Sequence, residues 1–267
     1  MGNVIDIIFG QGSLRTTWYL AFVSAIIQIF ARMGITSLVK SYVSKIPGVS
    51  PSHPSKAADC FYYAFFYSIS VGFNLFAQFK KGINPFYWMI HPDMHKNIIT
   101  EEYSLFVVFI YLFIGHYMAC TYFIFTKADA HLKRSDTQMM ILHHFFTFII
   151  FYTCTRWPCF LFGVTNGQVL FDTSDVFMET CKFFRYTKHI TLCNIFFLIM
   201  APMFFIGRCV IFPITSIRAT FLYYNIKGTP YFFLGLLEVG FFIMNLIWMK
   251  MILGMISKVF WMAVYDK

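Results

Sequence analysis

Runs of about twenty apolar residues recur along this chain, and about 20 such residues is the length at which a helix crosses a bilayer. Seven runs qualify: Trp18 to Val39, Cys60 to Phe79, Tyr103 to Phe125, Gln138 to Thr155, Cys159 to Cys181, Ile190 to Phe212 and Tyr231 to Met255. Inside hydrocarbon each backbone N–H and C=O must be satisfied by the segment itself, so such runs fold as helices. The expected class is an all-α polytopic membrane protein with about seven transmembrane helices. Composition agrees: 58% of the 267 residues are hydrophobic and 12% charged, against about 25% charged in soluble domains. The connections are short and leave no soluble domain.

The formal charge of +9 does not indicate nucleic acid, because the basic residues fall between spans instead of along one face with aromatic platforms. Their distribution orients the chain. Lys40, Lys45, Lys56, Lys127, Lys133, Arg134, Lys182, Arg185, Lys188, Lys258 and Lys267 share one side, and a smaller set, including Arg15, Lys80, Lys81 and Arg218, the other. The excess places the C-terminus in the cytoplasm and the N-terminus across the membrane. The first span reads as a retained signal anchor, since no basic n-region or small-residue cleavage site precedes it. Pro47, Gly48, Pro51 and Pro54 stiffen the loop that follows. The chain therefore divides into an N-terminal segment, 1–58, and a working bundle of six helices, 59–267.

Ionisable residues at membrane depth are costly and by default mark function. Two histidines, His143 and His144, lie in the fourth span, and Asp172 and Asp175 in the fifth. Arg156 and Pro158 mark the turn between them. At about 1.5 Å per residue, His144 is roughly 18 Å before that turn and Asp172 roughly 20 Å after it. The two pairs are thus level on neighbouring helices and can share one cavity. Asp172, Asp175 and Glu179 fall on one face by their i, i+3 and i+4 spacing, continuing to Lys182.

A neutral imidazole held by a carboxylate serves as base or nucleophile near pH 7. Adjacent helical residues point about 100° apart, so at most one histidine of the pair faces the reaction centre while the other supports packing, and the alternative is that one or both only hydrogen-bond a neighbouring helix. Other roles compete. The aspartates could form ion pairs with Arg208 or Arg32 that only lock the bundle. Thr147 either bonds its own backbone or lines the site, and Arg208 either neutralises the aspartates or holds a phosphate. Glu238 and His116 read as helix–helix hydrogen bonds. His91 and His95 make an H-x-x-x-H, but Met140 stands where an H-x-x-H-H box needs its first histidine, so no metal site is expected. The seven cysteines lack C-x-x-C spacing and read as small buried hydrophobes.

The run from Asp136 through His189 resembles the Lag motif of ceramide synthases, within the wider family of TLC-domain membrane proteins. The pieces match in order: an acidic residue before the span, H-H-x-x-T at His143, His144 and Thr147, and D-x-S-D at Asp172, Ser174 and Asp175. E-x-x-K at Glu179 and Lys182 follows, with Tyr186, then Arg208 and Pro213 as R-x-x-x-x-P, and Trp248 as a late tryptophan. Two positions depart. Phe171 precedes Asp172 where the family usually has histidine, and Asn245 stands where it tends to carry histidine three residues before the tryptophan.

The resemblance implies a six-helix TLC bundle around a lipid tunnel. It implies transfer of a fatty acyl group from acyl-CoA to the amine of a sphingoid base, giving a ceramide in the endoplasmic reticulum membrane, with no cofactor besides acyl-CoA as co-substrate. His143, His144, Asp172 and Asp175 are the expected catalytic set. Thr147, Ser174, Glu179, Lys182, Arg208, Asn245 and Trp248 are the expected substrate-binding residues. A homo- or hetero-oligomer is compatible with the sequence. The alternative is a non-catalytic TLC protein of lipid transport, lipid sensing or regulation of membrane composition.

Overall fold

The computed structural model describes residues 13–80, 104–126, 137–156, 161–227 and 229–265. Among them the chain is helical, with no strand. The helices are α1 (Ser13–Val43), α2 (His53–Lys80), α3 (Ser104–Phe125), α4 (Thr137–Arg156), α5 (Leu161–Tyr186), α6 (Ile190–Phe204), α7 (Arg218–Lys227) and α8 (Thr229–Tyr265). Pro158, His91, His95, His131, Lys133, Arg134 and Asp136 lie outside the described residues.

The pattern of burial is inverted relative to a water-soluble protein. Phe30, Leu38, Phe125 and Leu198 are each more than two-thirds exposed, whereas Asn74, Gln78, Asn166, Asp172, Arg208, Glu238 and Asn245 are buried. An apolar exterior over a polar interior is stable only where the surroundings are hydrocarbon. The segments Tyr19–Val43, His53–Lys80, Ile190–Leu222 and Tyr231–Ser257 are long and apolar enough to cross a membrane, and Phe109–Phe125 and Gln138–Thr153 are shorter apolar helices. The chain is an all-α polytopic membrane protein.

The helices from α2 onward pack in a ring: α2 on α5, α5 on α6, the end of α6 and α7 on α8, α8 on α4, α4 on α3, and α3 back on α2. Two apolar clusters hold it. One gathers Phe109, Phe113 and Ile114 of α3 with Phe151 of α4 and Leu234 of α8. The other joins Met200 and Phe204 of α6 to Met249 and Ile252 of α8. The α2–α5 seam is polar instead. Ser70, Asn74 and Gln78, one turn apart on one face, meet α5: Asn74 Nδ2 donates to the Thr165 carbonyl at 2.8 Å, and Gln78 Nε2 donates to Asn166 Oδ1 at 3.0 Å. In lipid such pairs are glue, since apolar surface gains nothing by leaving one hydrocarbon for another.

α1 lies outside the ring against α2 and α3. Its approach to α3 is close at Gly115, where a Cβ would stand 2.6 Å from the Ala21 carbonyl oxygen and 2.7 Å from Ser24. Arg32 of α1 makes a buried ion pair with Asp59 of α2 at 2.8 Å and donates to the Tyr63 hydroxyl at 2.9 Å. Arg32 is thus occupied by Asp59 and not by the aspartates of α5. His116 bonds to Gln28 Oε1 of α1 at 2.7 Å and stacks on Phe66, which is the helix–helix role expected of it.

After Phe204 the chain does not stop but widens into π-helical turns over Phe205–Ile211 and Pro213–Ile217. Pro213 has no N–H to give and its ring crowds the preceding turn. The Phe212 N–H reaches back to the Gly207 carbonyl, five residues away. Such wide turns re-aim side chains and recur at functional sites; here the turn carries Arg208 inward.

Candidate functional site

A partly open cavity of about 610 Å³ lies between α3, α4, α5, the π turns and α8. The walls are mostly aromatic: Tyr117, Phe151, Phe171, Phe212 and Phe241. Ionisable side chains enter from four directions. His143 comes from α4, Asp172 and Asp175 from α5, Arg208 from the π turn and Glu238 from α8.

The carboxylates of α5 are held by nearer donors than the histidines. Asp172 Oδ2 accepts a short hydrogen bond from the Ser70 hydroxyl and a longer one, 3.4 Å, from Gln168 Nε2 one turn earlier. Asp175 Oδ1 pairs with Arg208 Nη2 at 2.5 Å. Arg208 is fixed further: Nε donates to Ser174 Oγ at 2.9 Å and Nη2 to the Phe171 carbonyl at 2.8 Å, while the guanidinium lies over the Phe171 and Phe204 rings. A buried guanidinium with charge, hydrogen-bond and ring partners is the arrangement that repays its desolvation.

His143 is set in aromatic surroundings. Its ring centroid is 4.8 Å from Phe241, and Trp248 meets it edge-on at 5.5 Å. Its Nδ1 is buried without a hydrogen-bond partner in the protein. Among the described residues no hydrogen bond joins His143 to Asp172 or Asp175, so the expected tautomer-fixing carboxylate contact is not made: Ser70, Gln168 and Arg208 have taken both acids. His144, turned away as helix geometry requires, meets Tyr117 edge-on at 5.4 Å.

The remaining candidates divide between the cavity and its surroundings. Thr147 does both things foreseen for it: its hydroxyl donates to the His143 carbonyl at 2.7 Å and it lines the cavity. Ser174 holds Arg208. Glu179 and Lys182 pair with each other at 2.6 Å, farther along α5. Asn245 is fully buried on α8, and neither amide atom has a hydrogen-bond partner. Phe171, at the position where the resemblance expects histidine, lies parallel to Phe241 at 5.5 Å and under Arg208. The side chain there is a platform for the cation, with no proton to exchange.

Two contributors went unread in the sequence, and the cavity-lining place of a third, Glu238, was not foreseen. Ser70 and Gln168 hold Asp172, and Glu238 lines the cavity as well as accepting a hydrogen bond from Ser216 Oγ at 2.8 Å. Signals for two existed: Gln168 extends the α5 stripe by one turn before Asp172, and Ser70 heads the polar series on α2. Cys60, Cys120, Cys181 and Cys193 are buried thiols and Cys209 a half-buried one; Cys120 Sγ lies 3.4 Å from His116 Nε2 and Cys181 Sγ 3.5 Å from Cys193 Sγ.

This is a site able to bind an apolar chain and present an imidazole to its reactive end, next to a fixed ion pair. Known proteins with similar sequences point the same way. The human protein named Ceramide synthase 3 is 22% identical over 208 residues, 76% of this chain and 51% of that protein. Human Ceramide synthase 4 is 32% identical over 130 residues, 47% of this chain and 32% of its own length. Ceramide synthase LOH2 of Arabidopsis thaliana is 34% identical over 88 residues, 33% and 29% of the two chains. The chain thus spans about half the length, or less, of these relatives. The family model described as the TLC domain matches residues 56–254, covering all the cavity-lining helices, and the chain belongs to the TLC-domain family of membrane proteins.

Proposed function

We propose that this protein is a ceramide synthase-like N-acyltransferase, moving a fatty acyl group from acyl-CoA to the amine of a sphingoid base. The observation that carries the reading is one aromatic-walled cavity lined by His143, with an unengaged Nδ1, and by Asp172, Asp175 and Arg208. In this mechanism an imidazole nitrogen of His143 attacks the thioester carbonyl, the C–S bond breaks, and the imidazole proton leaves with the thiolate as CoA thiol. The amine then attacks the acyl-imidazole, the C–N bond to His143 breaks, and the amine proton returns to the ring. The products are an amide and the original histidine, and no cofactor beyond acyl-CoA enters the balance.

In this reading His144 packs behind the reacting ring, and the Asp175–Arg208 pair with Asp172 forms a fixed electrostatic frame. Trp248 and Thr147 hold the orientation of His143. Residues 59–267 constitute the working domain, with residues 1–58 its anchor segment. The names of the relatives support acyl-CoA and a sphingoid base as substrates, an endoplasmic reticulum membrane location follows from that role, and the charge distribution supports a lumenal N-terminus and cytoplasmic C-terminus.

The test is direct. Protein purified in detergent, given sphinganine and a series of acyl-CoA chain lengths, forms ceramide detectable by mass spectrometry, and His143→Ala forms none. Product at the wild-type rate from His143→Ala would overturn the mechanism. A second reading, a non-catalytic TLC protein that binds or senses lipid, is favoured by Phe171 and Asn245, the two positions without the family's usual histidines. It predicts no ceramide with any chain length but retention of a lipid in the cavity through purification.

A further inference from the structure

The cavity's polar groups fall into two sets. Asp172, Asp175 and Arg208 are consumed by each other and by Ser70, Gln168 and Ser174. The second set is left over: Glu238 Oε2, Gln168 Oε1 and His143 Nδ1 are buried atoms of cavity-lining residues with no hydrogen-bond partner in the protein. An unsatisfied buried polar atom costs about 1–3 kcal/mol, so three on one cavity are an expense that a ligand can repay.

Their chemistry states what that ligand must bring. Glu238 Oε2 and Gln168 Oε1 are acceptors, as is His143 Nδ1 in the tautomer protonated at Nε2. Several donors lining the same space are spent: Arg208 on Ser174, Phe171 and Asp175, Thr147 on the His143 carbonyl, and Ser216 on Glu238 Oε1; Tyr117 lines it as well. Thr220 also approaches the Glu238 carboxyl. The three acceptors are held on neighbouring surfaces of one aromatic cluster. Phe241, one turn after Glu238, packs on both the His143 ring and Phe171, and Gln168 lies one turn before Phe171.

We infer that Glu238, with Gln168 and beside the reacting His143, forms a receptor for a primary amine at the head of a long-chain lipid. An ammonium group supplies N–H donors and a positive charge to these acceptors, one of them the Glu238 carboxylate, which takes one proton so that the neutral amine attacks the acyl-imidazole. The wall of aromatic faces suits the cation and the attached chain. This assigns Glu238 the recognition of the acyl-accepting substrate, and it rests on the acyl-transfer reading above. Glu238 binds the amine; the aspartates of α5, already engaged, do not.

The experiment uses the full chain in lipid nanodiscs and radiolabelled octadecylamine, with empty nanodiscs as background. Octadecylamine is expected to bind saturably, 1-octadecanol to compete at least tenfold more weakly, and octadecyltrimethylammonium, charged but without N–H, to compete at least tenfold more weakly as well. Glu238→Gln is expected to weaken amine binding at least tenfold. In the acyl-transfer assay it raises KM for the base by the same factor and leaves KM for acyl-CoA unchanged. Equal competition by the trimethylammonium compound overturns donor matching, and unchanged amine binding by Glu238→Gln overturns the assignment of Glu238. If Glu238→Gln does not fold, the competition series on the wild-type protein still decides. Amine binding without ceramide formation would sustain this subsite and sink the acyl-transfer reading; ceramide formation with an unaltered KM in Glu238→Gln would do the reverse.

Discussion

Two regions of this molecule are built from the same parts and do different things. Between α1, α2 and α3, a buried Arg–Asp pair, Arg32 with Asp59, lies near a buried histidine, His116, ringed by aromatics. Across the helix ring, Arg208 pairs with Asp175 near His143, again among aromatics. In the first region the ring nitrogens are used: His116 Nδ1 by Gln28 and Nε2 by Cys120. In the second, His143 lines the cavity and its Nδ1 is buried without a partner. An arginine, an aspartate and a histidine in a membrane interior therefore do not define a site by themselves. What separates structure from chemistry is a polar atom without a partner beside room for a ligand.

The sharpest way to break this contrast is to delete each histidine. His143→Ala is expected to lower acyl transfer by about 10²–10⁴-fold, the range for loss of an acid–base group and a lower bound for a nucleophile, with the purified protein remaining folded. His116→Ala is expected to leave kcat near wild type and to lower the melting temperature, because it strips Gln28 and Phe66 of their partner. Comparable losses of kcat in both variants would erase the distinction.

Next in size come the ion pairs. Removing one member of a buried pair leaves an uncompensated charge and costs about 3–5 kcal/mol, whereas replacing both by apolar residues is often neutral. Arg32→Met and Arg208→Met should therefore both unfold at lower temperature. The double variants separate them. Arg32→Met with Asp59→Leu is expected to regain most of the stability and keep activity; Arg208→Met with Asp175→Leu regains stability and stays inactive. Thermal unfolding in detergent alongside product formation reads both outcomes.

Much of the first-order arrangement was legible because bilayer physics is severe. Seven apolar runs and one hairpin with acids on a single face leave few ways to fold, and depth counting put His143 level with Asp172. The pairings were not legible. The aspartates of α5 had two candidate arginines in sequence, Arg208 and Arg32, and Asp59, near the start of a span, attracted no notice as the partner of Arg32. Which acid met Arg208 depended on the π turns around Pro213, whose extra residue per turn rotates the guanidinium in a way that helical spacing cannot foretell. Glu238 read as a lone helix–helix bond, and it makes that bond with one oxygen; the second oxygen is visible only once α8 is placed against the cavity. Local periodicity reports the face of a residue, and a site is made by which faces meet.

The smallest effect tests whether the α1 region is separate from the chemistry. At Gly115 a Cβ would stand 2.6 Å from the Ala21 carbonyl oxygen, which is backbone and cannot swing aside. At Gly240 it would stand 2.6 Å from Cε2 of Phe146, the far edge of a ring that can turn. Overpacking of this kind costs about 1–3 kcal/mol, and the rigid neighbour belongs at the upper end. Gly115→Ala is thus expected to be the less stable variant of the two, with α1 displaced, while KM and kcat per folded molecule hold because α1 carries no cavity-lining residue. Gly240→Ala loses less stability, but Phe146 lies on α4 between His143 and Phe151, so its adjustment is transmitted to the imidazole and shows as a change in kcat of a few-fold. If Gly115→Ala instead alters kcat and Gly240→Ala does not, the packing of α1 is part of the catalytic frame and the two regions are coupled.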